Sequence, residues 1–234
     1  MFRYCLCLVS VFIATSAFSA PSVTVVIEEP VYTLVSPNNG AGPLWCYGCT
    51  QVVRTGDEVV ISQMETGEGV PLLCNTRWKL LSRTEEGWKP FAEAEGYRQR
   101  EPCPVGVTKD GGLFLYVNDS LTPPGTHYKE CEPHLLNFAT TQPGVTPKKI
   151  SPKWDEEEPY YTDHSYRGFG VDGPNNELLM LNIDAETSIQ HWCHLDQSGK
   201  TLANGSITFP IRSAYLQAAL SNKSAHILAI SDIV

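Results

Sequence analysis

Four stretches of the chain share one hydrophobic pattern: a short apolar strand, a polar or glycine-bearing turn, then a strand of alternating aliphatic and aromatic residues. They are CYGCTQVVRTGDEVVIS (46–62), PCPVGVTKDGGLFLYVN (102–118), HSYRGFGVDGPNNELLMLN (164–182) and AYLQAALSNKSAHILAIS (214–231). Period-two alternation around a turn rich in Gly, Asp, Asn or Ser is the signature of a β-hairpin. The turns begin at Arg54, Lys109, Asp172 and Ser221, so the units are spaced by 55, 63 and 49 residues. Second hairpins lie between them, at Arg77–Trp88, where Trp78 and Trp88 flank a polar turn, and at His191–Leu202.

Two hairpins per unit make four strands, and four-stranded units repeated radially are the blades of a β-propeller. The predicted fold is all-β: a β-propeller of four-stranded blades over residues 41–234, with about three and a half blades visible. Residues 20–40 form an N-terminal lead-in segment. A β-sandwich would also space its strands regularly, but the alternation of two hairpin types favours the propeller. Leu121–Pro159 is Pro-rich, carries the acidic run Asp155–Glu158, and reads as an inter-blade insertion around one hairpin at Leu135–Thr140. The acidic run itself reads as a solvated loop. The chain stops at Val234 directly after an apolar strand, which reads as a fragment of a larger propeller.

Charge and export signals narrow the function. Seventeen basic against 26 acidic residues give a net charge of −9, the wrong sign for a nucleic-acid binder or for attachment to anionic lipid. Residues 1–19 combine an early Arg3, the apolar run Tyr4–Ala14 and small residues at Ala17 and Ser19, the pattern of a cleaved signal peptide. The apolar run is too short to span a bilayer, and no later stretch suits a span. The expected location is therefore secreted or periplasmic. Cleavage after Ser19 leaves Cys46, Cys49, Cys74, Cys103, Cys131 and Cys193, an even set that favours disulfides in an oxidising compartment. Their connectivity is open, and the C-x-x-C at Cys46–Cys49 keeps zinc and redox readings alive.

Tryptophan-flanked outer hairpins with acidic-glycine turns, seen in Ser82–Trp88 and Asp196–Leu202, resemble degenerate Asp-boxes of the sialidase-like, BNR-repeat β-propeller family. Ser82-Arg83-Thr84-Glu85-Glu86-Gly87-Trp88 keeps the Ser, Gly and Trp of the box but not its Asp; the Asp196 turn has one extra residue and lacks the Trp. Thr162–Phe169, leading into Val171-Asp172-Gly173, is similar to the inner-strand entries of bacterial members. The resemblance covers most of residues 40–234 and implies the propeller fold and carbohydrate as the contacted class. Members include glycoside hydrolases, polysaccharide lyases and non-catalytic propellers, so fold alone does not assign chemistry.

A propeller converges the entries of its innermost strands on one end of the central channel. The candidate site is accordingly Trp45 and Tyr47, Arg100 and Glu101, Asp163, His164, Tyr166 and Arg167, and Arg212 and Tyr215. Guanidinium forks bind carboxylate or sulfate bidentately, and His or Tyr can move a proton near neutral pH. Asp163, His164 and Tyr166 are therefore the catalytic candidates and the others substrate-binding, with Glu101 and Asp163 the one carboxyl pair available to a hydrolase. Structural roles compete: Arg100–Glu101 as an ion pair at a blade edge, Arg167 and Arg212 as ties between blades, Asp163–His164 as a hydrogen-bonded pair. His191 and His194 read as surface residues and His226 as packed within its strand. No motif implies a metal or cofactor, and no G-x-S-x-G elbow, phosphate loop or H-E-x-x-H occurs. The expected function is a secreted propeller contacting an acidic polysaccharide, as a glycoside hydrolase or polysaccharide lyase; the alternative is a non-catalytic binding or scaffolding propeller at the cell surface.

Overall fold

A computed structural model describes residues 23–45, 49–154 and 159–231. The signal-peptide segment, Cys46, Tyr47 and the acidic run 155–158 lie outside the described residues. Two compact units are distinguished, Met1–Val31 and Tyr32–Val234. In the first, the described residues carry no strand, and Val23, Val25, Val26 and Ile27 are exposed.

The second unit is all-β. Its strands are β1 (Val52–Thr55), β2 (Glu58–Thr66), β3 (Thr76–Thr84), β4 (Gly87–Glu93), β5 (Val105–Val107), β6 (Leu113–Ser120), β7 (Cys131–Phe138), β8 (Lys148–Ile150), β9 (Gly168–Asp172), β10 (Glu177–Ile183), β11 (Gln190–Asp196), β12 (Thr201–Ile207), β13 (Ser213–Ser221) and β14 (Ser224–Ser231). They form three four-stranded antiparallel sheets, β1 to β4, β5 to β8 and β9 to β12, each a simple meander, and the two-stranded β13–β14. The four hairpins read from the alternation are β1–β2, β5–β6, β9–β10 and β13–β14, and the two outer hairpins are β3–β4 and β11–β12. The segment read as an insertion differs. Its residues supply β7 and β8, which complete the second sheet. Pro133 inside β7 and the Gly/Pro-rich turn before β8 mask the strand signal there, because proline breaks the alternation without ending the pairing.

Burial shows how the sheets are arranged. On β6, Leu113, Leu115 and Val117 pack with Val60, Trp78, Leu80 and Phe91 of the first sheet. The intervening Phe114 and Tyr116 face the other way, onto Phe169, Leu178 and Met180 of the third. On β10 the same division recurs: Leu179 and Leu181 pack with Leu216 and Ala218 of β13. Strands buried on both faces lose the inside–outside alternation and read as continuous apolar runs, as FLYV and LLML do here. The sheets therefore succeed one another face to face in series, which is not the two-layer arrangement of a sandwich.

First strands of neighbouring sheets touch. Val105 N donates to Thr50 O at 2.8 Å and Lys109 N to Gly173 O at 3.0 Å. At Gly168 a methyl group would stand 2.6 Å from the Leu216 carbonyl oxygen, and at Gly106 one would stand 2.2 Å from a Val171 methyl. Only glycine permits that approach.

Candidate functional site

The segments entering β1, β5, β9 and β13 come together in a polar hub. Arg100, ahead of β5, is buried; its Nη1 donates to the Asp163 carbonyl at 3.3 Å and pairs with Glu101 Oε1 at 3.4 Å. Asn39 Nδ2 reaches the Leu73 and Arg100 carbonyls at 3.0 and 3.1 Å. Arg167, ahead of β9, donates from Nη2 to the Glu101 and Pro102 carbonyls, both at 2.9 Å, and from Nη1 to Gln99 Oε1 at 3.3 Å. A guanidinium taken out of water needs its planar fork filled by acceptors. Bends at Arg100 and Glu101, just ahead of β5, lie in the segment that presents those carbonyls.

Asp163 is 4% exposed, and neither carboxylate oxygen has a hydrogen-bond partner among the described residues. His164 Nε2 stands 3.8 Å from Oδ2. Asp163 shares a cavity of about 10 Å³ with Cys74, Arg100, Glu101, Asn118 and Arg167. That volume is on the scale of one water molecule and far below that of a sugar ring.

Above the hub runs a row of rings. Tyr215 stacks on Tyr166 with centroids 4.3 Å apart, and Trp45 meets Tyr215 edge-on at 6.0 Å. His164 lies 6.5 Å from Tyr166 and 4.5 Å from Tyr128. The Arg212 guanidinium carbon is 5.9 Å from the Tyr166 centroid. Tyr166 is buried inside the row; Trp45, His164, Arg212 and Tyr215 are half-buried, and Tyr128 is exposed.

Two of these rings stand on unusual backbone. Tyr128 and Tyr215 both have φ of 52°, a region in which a bulky L-residue is strained. At Tyr215 the β13–β14 register shifts between Ala214 and Gln217, a bulge that re-aims the side chain. Strain of this kind persists where the surroundings enforce it and gathers at ligand sites.

Burial holds the His164 imidazole below its usual value, with Arg100, Arg212 and His127 adding to the effect and Asp163 opposing it. The ring is thus neutral at neutral pH. As pH falls through its ordinary value of about 6.5, the unfolded chain takes up a proton that the folded site resists. This contribution to stability is present above that pH and is lost as pH falls through the lower folded value. Thermal midpoints measured against pH should therefore fall less steeply on the acid side for His164→Gln than for the wild type; identical slopes would contradict the assignment.

The structure brings together Trp45, Arg100, Glu101, Asp163, His164, Tyr166, Arg167, Arg212 and Tyr215; Tyr47 lies outside the described residues. Several individual readings change. Arg100–Glu101 is a pair within the hub rather than at a sheet edge, because both side chains are buried. Arg167 ties the third sheet to the entry of the second. His191 is buried beside Tyr161, at 6.5 Å, where β11 turns that face inward. His194 is half-buried and faces Glu177 at 3.1 Å. His226 is exposed, since it sits on the outward face of β14 with Leu228 and Ile230. The turn at Asp196 is structural: its Oδ1 accepts from Ser198 N at 2.8 Å and Lys200 N at 3.0 Å.

Asn39, Gln99 and Tyr128 were not legible as site residues. The Asn-Asn-Gly turn at 38–40 is the one local signal that marks Asn39, since Asn38 and Gly40 both have positive φ. Nothing in the 121–130 loop marks Tyr128.

Among the described residues no three His, Cys, Asp or Glu side chains group so as to hold a metal ion, and no helix is long and apolar enough to cross a membrane. The disulfides expected from the even cysteine count are not formed in this structure among the described residues. No protein-family model matches the chain, and no curated protein matches it. Among solved structures it is similar in part to a protein of unknown function from Dyadobacter fermentans DSM 18053, with 13% identity, 71% of this chain covered and a TM-score of 0.45. The chain spans 52% of that protein, about half its length.

Proposed function

We propose that this chain is a carbohydrate-contacting β-propeller, open in the described residues, whose aromatic row and Arg212 bind an acidic glycan. The serial, face-to-face meanders with touching first strands support the propeller reading. The observation that carries the binding reading is the pair of strained tyrosines, Tyr128 and Tyr215, in one row of rings beside a half-buried guanidinium. Aromatic faces stack on sugar rings, and a guanidinium fork takes uronate or sulfate. Binding without hydrolysis fits best, because Glu101 and Asp163 line a cavity too small for a sugar.

A second reading, a lyase, is favoured by the neutral His164, which could accept the proton beside a uronate carboxyl held by Arg212. One experiment addresses both: calorimetric titration of the protein with uronic-acid, sulfated and neutral polysaccharides, with absorbance recorded for unsaturated products. Binding of acidic polymers that weakens with salt is expected. Tyr128→Gly should weaken it by roughly tenfold or more, in line with about 1–3 kcal/mol for a lost stacking ring, while relieving the left-handed backbone and preserving stability. Failure of every acidic polymer to bind would end the proposal; unsaturated products would favour the lyase.

A further inference from the structure

We propose that Cys74 and Cys131 are the two halves of a disulfide that staples the entry of β3 to the start of β7. The Cys74 thiol is within hydrogen-bond reach of the Cys131 side chain and of Ser120, and Ser120 is the residue directly opposite Cys131 in the β6–β7 ladder. Both cysteines are almost fully buried, at 3% and 4% exposure. Their backbones are fixed. Cys74 lies between Leu73 and Asn75, both held by Asn39, and Cys131 N donates to Tyr161 O at 2.8 Å.

Cys131 shares with the other described thiols a contact to a carbonyl oxygen, that of Lys129 at 3.8 Å; Cys49 faces that of Arg167 at 3.7 Å, Cys193 that of Lys153 at 3.3 Å, and Cys103 that of Glu101 at 4.0 Å. Nothing in this pairing depends on the carbohydrate reading.

The hydrogen bond from Cys131 lowers the Cys74 pKa, whereas Cys131 is pushed up by the same contact and by burial. Either sulfur can open the exchange, and the route through Cys74 is equivalent to the one through Cys131. With a disulfide oxidant such as oxidised glutathione, the Cys74 sulfur displaces one glutathione thiolate and forms a mixed disulfide. Cys131 then gives up its proton and attacks the Cys74 sulfur, expelling the second glutathione thiolate. Two protein thiols are oxidised and one glutathione disulfide is reduced.

The test is a thiol map of the full chain, reduced, then folded in a glutathione redox buffer, alkylated under denaturing conditions without reductant, digested and read by mass spectrometry. The expected result is one cross-linked peptide joining Cys74 and Cys131, with Cys103 and Cys193 alkylated. Reductant should remove that peptide and lower the thermal midpoint by roughly 5–15 °C. Alkylation of both Cys74 and Cys131, or a cross-link from either to any other cysteine, would overturn the proposal.

Discussion

Arg167→Ala is expected to cost about 3–5 kcal/mol of folding stability, the scale for removing one partner from a buried charged network, whereas Arg212→Ala costs less than about 1 kcal/mol, as for partly exposed ionic contacts. The two arginines look alike in sequence, each directly ahead of a first strand. Arg167, however, is 3% exposed and fills its fork with three acceptors on the segment leading into β5. Removing it strands those acceptors in a buried site. Lysine would not restore it, since one ammonium cannot reproduce a planar fork. Chemical denaturation of both variants decides: equal losses would mean that Arg212 is as structural as Arg167. Glycan titration of Arg212→Ala should show the complementary loss.

Phe138→Ala should be comparably severe, about 3–5 kcal/mol. The ring is fully buried at the end of β7 and meets Trp78 and Phe91 edge-on, with centroids 6.0 and 6.2 Å away. It thus joins the second sheet to the first, and its deletion leaves a cavity bounded by rigid rings that cannot collapse into it. Leu228→Ala on the outward face of β14, 64% exposed, should by contrast change stability by less than about 0.5 kcal/mol. Urea titrations with an unchanged slope and a shifted midpoint would confirm the difference as one of native stability.

Those two contrasts also show what sequence could reveal. Strand pairs were legible because alternation around Gly, Asp and Asn turns is local chemistry, and the hairpins at 54, 109, 172 and 221 all form. The convergence of Trp45, Arg100, Asp163, Arg212 and Tyr215 was legible too, because these positions sit at the entries to the first strands of successive sheets, and those entries lie side by side. β7 and β8 were hidden by prolines that interrupt the pattern without interrupting the pairing. The separation of Arg167 from Arg212 was hidden because it depends on which carbonyls a neighbouring segment presents. Tyr128 was invisible for a related reason: it arrives on an irregular loop, and its left-handed backbone leaves no periodic trace.

The glycine contacts along the first strands carry a consequence for how such a chain can change. Where Gly168 lies against the Leu216 carbonyl, the obstacle is backbone and no rotamer could yield; where Gly106 lies against a Val171 methyl, the neighbouring side chain would have to move. Variation is then driven to the turns remote from these contacts, which can lengthen or exchange residues without disturbing them. Diversity of sequence should grow with distance from that seam.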